Sequence, residues 1–206
     1  MLIRGVVSSP VRGVVDAEGE GAGGSYTKPD LIDIATGDPA TAIAGAGGYT
    51  EVQMAADSVN LRLDRAMSAG KHYWEATGSS IYLIAGLTNE PTTSYAYGGL
   101  INSKNSAVFR GSSAGLWGSR NWGTNEENLR GAGAPDDCPQ IGLLFDADTR
   151  ILQYRVADAA PTVSHDLSAR TGPFYALFAR QGAVVTEIRL GPAGCTYALP
   201  EGYEYL

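Results

Sequence analysis

Ser164-His165-Asp166 brings together the three residue types of a nucleophile, base and acid relay. On an extended chain successive side chains leave opposite faces, so three consecutive residues cannot converge on one reacting atom. The tripeptide therefore reads as ordinary strand residues. The other histidine, His72, sits beside Tyr73 and Trp74 in an alternating stretch and reads as structural, and two histidines cannot make a three-histidine metal site. Asp146-x-Asp148 and Asp136-Asp137 offer carboxylates, yet neither has the acidic spacing or terminal Glu of a calcium loop, so they read as turn formers. Gly131-Ala132-Gly133 is not followed by the Lys and Ser/Thr of a phosphate cradle. Cys138 and Cys195 are far apart with no C-x-x-C pairing, which points to two unpaired small hydrophobes. No catalytic residue, no metal and no cofactor is expected.

What the chain does offer is recognition chemistry. Between Pro91 and Asp137 a stretch rich in Gly, Ser and Asn carries Tyr95, Tyr97, Phe109, Arg110, Trp117, Arg120 and Trp122. Aromatics give large contact area at low entropy cost, and Arg gives a fork of donors, so the stretch has the composition of a binding surface. The competing reading is that some of these aromatics plug a core. It is preferred for Phe109 and left open for Trp117 and Trp122. The candidate ligand-binding residues are Tyr95, Tyr97, Trp117, Arg120 and Trp122.

A second candidate surface lies at the start. Ten of the first 48 residues are Gly, and the apolar residues there come in pairs or triplets without a sustained period, so this segment can hardly bury a core of its own. Arg4-Gly5-Val6-Val7 recurs as Arg12-Gly13-Val14-Val15, with Pro10 between the copies. Val pairs favour extended backbone that can pair with another chain. Arg4 and Arg12, the only Arg in this segment, can meet acidic groups. Residues 1–48 are therefore expected to be a docking arm and linker ahead of a domain spanning 49–206, with Arg4, Val6, Val7, Arg12, Val14 and Val15 as docking residues.

The elements that must position these residues follow from composition and period. The 206 residues are 44% apolar and 18% charged, with 27 Gly and 10 Pro, which suits short strands joined by many turns. Fifteen Lys and Arg against 22 Asp and Glu leave a net charge of −7, which repels phosphate backbones and anionic lipid, so neither nucleic acid nor membrane insertion is expected. No apolar run approaches the roughly 18 residues of a membrane span, and the N-terminal apolar stretches are too short for a signal sequence, so a soluble, non-exported chain is expected. From Tyr49 onward the apolar period is two. Leu61 and Leu63 alternate with Arg62 and Asp64, and further strands are predicted at residues 71–77, 81–87, 141–146, 151–156, 174–179 and 184–190. Asp146-Ala147-Asp148-Thr149-Arg150 supplies a reversal between two of them. The fold class is all-β, an antiparallel two-sheet sandwich.

Three stretches in order resemble a SPRY (B30.2-type) domain, a concanavalin-like β-sandwich. Gly70-Lys71-His72-Tyr73-Trp74-Glu75-Ala76 is similar to the family's G-K-x-Y-W-E-V strand. Ile141-Gly142-Leu143-Leu144-Phe145-Asp146 with residues 149–154 is similar to its hairpin, and Gly191-Pro192 with Leu199-Pro200-Glu201-Gly202-Tyr203 to its closing segment. Ala76 replaces the usual Val, and Arg150 stands where a turn Gly is common. The resemblance implies a buried Trp74, with Tyr203 as a staple closing the sandwich. It covers residues ~50–206 and none of the first 48.

The closest likeness is to compact versions in bacterial and bacteriophage proteins. The expected function is accordingly a non-enzymatic structural or attachment component of a phage-like particle, such as a tail fibre, spike or head decoration. Other virion proteins would be partners through the arm, a host surface glycan or protein through the rim, and the chain would be a homo-oligomer within the virion. The alternative is a free-standing SPRY-type adaptor or carbohydrate-binding protein of the bacterial cytoplasm.

Overall fold

A computed structural model describes residues 26–34, 42–45, 48–54, 60–78, 83–90, 92, 106–112, 115–121, 127–128, 140–156, 158–161, 163–180 and 184–206. The first half runs through β1 (Leu31–Asp33), β2 (Ala42–Gly45), β3 (Gly48–Met54), β4 (Asn60–Met67), β5 (Lys71–Gly78), β6 (Leu83–Thr88), β7 (Ser106–Ser112) and β8 (Gly115–Asn121). The second half adds β9 (Glu127–Asn128), β10 (Ile141–Asp146), β11 (Ile151–Arg155), β12 (Val163–Asp166), β13 (Phe174–Arg180), β14 (Val184–Arg189), the one-turn helix α1 (Gly191–Gly194) and β15 (Glu204–Tyr205). All seven alternating stretches of the sequence thus become strands.

The strands form two sheets. One has the order β1-β4-β13-β6-β7-β8-β9, and the other the order β12-β11-β10-β5-β14-β3-β2, with β15 alongside β5. Neighbours pair antiparallel except β15, which runs parallel to β5.

Period-two alternation decides what lies between the sheets. Leu61, Leu63, Ala85, Leu87, Phe174, Ala176 and Phe178 come from the first sheet, and Trp74, Ala76, Ile141, Leu143, Phe145, Leu152, Tyr154 and Ile188 from the second, all in one buried cluster. Phe145 and Phe174 meet edge to face across the layers, ring centroids 5.1 Å apart. Trp74 is completely buried, as its resemblance implied. The intervening residues form the two outer faces.

The predicted reversal between residues 145 and 151 is a hairpin, with Asp146 paired to Ile151. Asp146 Oδ1 accepts from the backbone N–H groups of Asp148 and Thr149, both at 3.0 Å, which explains the Asp as a turn former. Arg150 adopts φ +58°, the left-handed region in which a turn Gly is easier. Its guanidinium donates from Nη1 to the carbonyls of Ser168 at 3.1 Å and Arg170 at 2.8 Å, which offsets the backbone cost.

Two expectations are corrected. The sandwich begins before residue 48: Leu31, Ile32 and Asp33 pair with Leu63, Arg62 and Leu61, Leu31 is buried in the main cluster, and β2 pairs with β3. A three-residue strand has no period to betray it, and its stability comes from β4 rather than from its own segment. Tyr203 is half-buried, with the Lys71 ammonium 5.7 Å from its ring centroid, whereas the fully buried closing side chain is Leu206. The docking residues Arg4, Val6, Val7, Arg12, Val14 and Val15 lie outside the described residues, as do Cys138, Asp136, Asp137 and Gly131-Ala132-Gly133.

Candidate functional site

Strand register places one unbroken row of residues across six strands of the seven-stranded sheet. Ile32 pairs with Arg62, Arg62 with Leu177, Leu177 with Gly86, Gly86 with Val108 and Val108 with Arg120. The adjoining row runs Ala66, Tyr175, Thr88, Ser106. On β4, β6 and β13 these rows alternate with the core residues Leu61, Leu87, Ala176 and Phe178, so there they belong to the sheet's outer face.

Among the described side chains of this face Leu177, Ala179 and Thr88 are buried, whereas Ile32, Arg62 and Tyr175 are half-buried. The Arg62 guanidinium carbon stands 5.1 Å from the centroid of the Tyr175 ring, within cation–π range, and Nη1 donates to the Leu63 carbonyl at 3.1 Å. Beside Tyr175 the chain leaves β6 through a local lock: Thr88 Oγ1 accepts from the Glu90 N–H at 3.0 Å, and Asn89 Nδ2 donates to the Thr171 carbonyl at 3.4 Å. An arginine over a tyrosine, flanked by exposed Asp64 and Ala66, brings guanidinium donors and an aromatic ring together.

Of the residues proposed from sequence, Arg120 and Trp117 fall within β8, in the sheet rather than on a rim loop. Arg120 shares the register row of Arg62, and Trp117 is the extra residue where the pairing of β7 and β8 shifts between Arg110 and Gly111. Tyr95, Tyr97 and Trp122 lie outside the described residues. Arg62 and Tyr175 were missed as site residues although the signal was there. Each is a polar residue between two apolar ones on a strand, which marks the outer face.

A second polar cluster lies on the outer face of the other sheet. Arg155 pairs with Gly142, Gly142 with Glu75 and Glu75 with Arg189, so one row carries a carboxylate between two guanidinium groups. Glu75 is completely buried. It accepts from the Tyr73 hydroxyl and the Thr196 N–H, both at 2.9 Å, from the Tyr197 N–H at 2.8 Å, and from Thr196 Oγ1 and Gln140 Nε2. Arg155 lies 4.8 Å over the Tyr73 ring and donates to the Ala198 carbonyl. Burial, opposed by the hydrogen bond of Arg155 and reinforced by the Glu75 charge, pushes the Tyr73 hydroxyl far above its ordinary pKa. Burial, again with Glu75, also pushes the Cys195 thiol up. Because the donors are the chain's own backbone N–H groups, this cluster fastens residues 195–198 to β5.

The side chains of Ser164, His165 and Asp166 diverge along β12. On β12 His165 is buried while Ser164 and Asp166 are exposed. Asp166 Oδ1 accepts from the Ser168 N–H at 2.8 Å, and Ser164 Oγ accepts from Gln153 at 2.8 Å. Among the described residues no group of three or more His, Cys, Asp or Glu could hold a metal ion.

No family model matches the chain, and no curated protein matches it. Solved structures do, 175 chains in all. The PSpry domain of TRIM65 is 13% identical with a TM-score of 0.56, covering 78% of this chain and 92% of that one. The SPRY domain of human HERC1 is 10% identical with a TM-score of 0.54, covering 71% of this chain and 91% of that one. Stonustoxin is 15% identical with a TM-score of 0.53 over 68% of this chain, which spans only 26% of that much longer one. Two antiparallel sheets in this order, and this likeness to SPRY domains at low identity, make the fold a SPRY-like β-sandwich.

Proposed function

We propose that the chain is a non-enzymatic recognition module that binds a protein surface through the outer face of its seven-stranded sheet. The observation that carries the reading is the Arg62 guanidinium over the half-buried Tyr175 ring on that face. Arg and Tyr are among the side chains most often found at the energetic centre of protein interfaces, and their contact holds both before a partner arrives. The register row continues in the backbone to Arg120 of β8, the strand on which Trp117 sits at the shift in pairing. The likeness to SPRY domains supports a binding scaffold by analogy of fold. The divergence of Ser164, His165 and Asp166 supports the non-enzymatic reading.

The finer form of this reading is an attachment or structural component of a phage-like particle, with residues 1–25 anchoring it to neighbouring virion proteins. Its support is the layout of a glycine-rich segment with a repeated Arg-Gly-Val-Val ahead of a compact sandwich. Mass spectrometry of purified particles from the source tests it: the chain should appear in fixed stoichiometry with capsid or tail proteins, and its absence from particles removes the finer form alone.

The module itself is tested by quantitative binding of the partner that the intact chain retains from its source. Arg62→Glu and Tyr175→Ala should each weaken retention at least tenfold with little change in Tm, while Gln153→Ala on the opposite sheet leaves it intact. Full retention by both face variants would overturn the assignment of the face.

A further inference from the structure

Residues 26–33 and the closing segment 191–206 belong to opposite sheets, yet they meet at one side chain. Tyr26 packs against the core cluster, and its hydroxyl donates to the Leu206 carbonyl at 2.9 Å. Its ring occupies the space beside Gly191, where an added Cβ would fall 2.4 Å from the ring's Cε1. Gly191 also has φ +67°, so both the backbone and the space call for glycine there.

On one side Tyr26 is held to the seven-stranded sheet. The Arg65 guanidinium lies 6.0 Å from its ring centroid and donates to the Thr27 carbonyl. Asp64 N–H donates to the Asp30 carbonyl at 2.9 Å, and Asp64 Oδ1 accepts from the Asp30 N–H at 2.8 Å, after which β1 pairs with β4. On the other side lies a strap across the outer face of the second sheet. Glu75 holds Thr196 and Tyr197, Arg155 holds Ala198, and the Leu206 N–H donates to the Tyr73 carbonyl at 2.9 Å. The ring of Tyr205 stands 6.3 Å from that of Tyr73.

We propose that Tyr26 is a latch coupling residues 26–33 to this strap, so that displacing the chain at Tyr26 loosens residues 195–206 and uncovers Tyr73 and the Glu75 carboxylate. The coupling is reciprocal: a strap that lifts at Gly191 withdraws support from Tyr26 and from the Asp30–Asp64 pair. The molecule thus has a built-in route from the segment preceding Tyr26 to the sheet opposite Arg62 and Tyr175. The latch does not depend on what that face binds.

Native-state hydrogen exchange on the full chain reads the coupling directly. Tyr26→Ala should speed exchange at the Thr196, Tyr197 and Leu206 amides at least tenfold while the amides of β13 stay unchanged. Tyr26→Phe, which keeps the ring and loses one hydrogen bond, should speed Leu206 by about fivefold. Gly191→Ala, made at the strap, should speed the Asp64 amide at least fivefold, and should add little there once Tyr26 is Ala. Unchanged exchange at the strap in Tyr26→Ala overturns the latch. A rise spread evenly over both sheets overturns it as well, because Tyr26 would then stabilise the whole sandwich without coupling these two segments.

Discussion

The Tyr73 ring reaches diagonally over Gly142 of the neighbouring strand, so that a Cβ on Gly142 would stand 2.5 Å from the Tyr73 hydroxyl oxygen and 2.8 Å from its Cε2. This contact gives a physical reason for the glycine in Ile141-Gly142-Leu143. The ring needs the space over β10 to bring its hydroxyl to Glu75. Gly142→Ala should therefore destabilise the sandwich by roughly 1–3 kcal/mol through overpacking. Urea unfolding of the variant checks this, and stability equal to wild type would show that Tyr73 moves aside freely.

Glu75 was not legible as anything but a residue of a family-like strand. Its partners at 196 and 197 lie more than 120 residues away, and no local pattern announces a buried carboxylate that caps backbone N–H groups. Glu75→Ala leaves those two part-buried donors without their acceptor and should cost roughly 1–3 kcal/mol. Thermal unfolding measures the loss.

Removing residues 1–24 should leave the domain stable, because among the described residues the contacts of the N-terminal side begin at Tyr26. Removing residues 1–47 deletes Tyr26, Leu31 and β1 and should lower stability by at least about 3 kcal/mol, the scale of one emptied core position. Comparing the two truncations in urea decides where the domain starts.

Burial would raise the Asp146 carboxyl, but hydrogen bonds from Thr149 and Asp148 and the Lys71 ammonium at 3.7 Å outweigh it and hold the pKa below its ordinary value. A carboxyl lowered in the folded state contributes stability that is present above its unfolded pKa and lost as pH falls through the folded one. The hairpin of β10 and β11 should therefore loosen below about pH 4. In Asp146→Asn the acid-dependent part should shrink and stability near pH 7 should fall, as followed by urea unfolding across pH.

Alternation made the body of the fold readable. Leu61 and Leu63 against Arg62 and Asp64 separated core from outer face on β4, and the same rule applied to Phe174, Tyr175, Ala176 and Phe178 would have named Tyr175. No strand is legible in the aromatic stretch, because the Gly and Ser neighbours of Trp117 and Arg120 mimic loop composition, whereas β7 supplies the pairing that makes β8 a strand. β1 is three residues long, and Tyr26 finds its partner 180 residues away, so both are products of tertiary contact that no window of sequence contains.

The most direct test of the binding face is site-specific photo-crosslinking of the intact chain in its source, with the photoreactive residue at position 175 or, on the opposite sheet, at 153. The account predicts a discrete protein adduct from position 175 that disappears when Arg62→Glu is added, and none from 153. An adduct formed from 153 and not from 175 would contradict it.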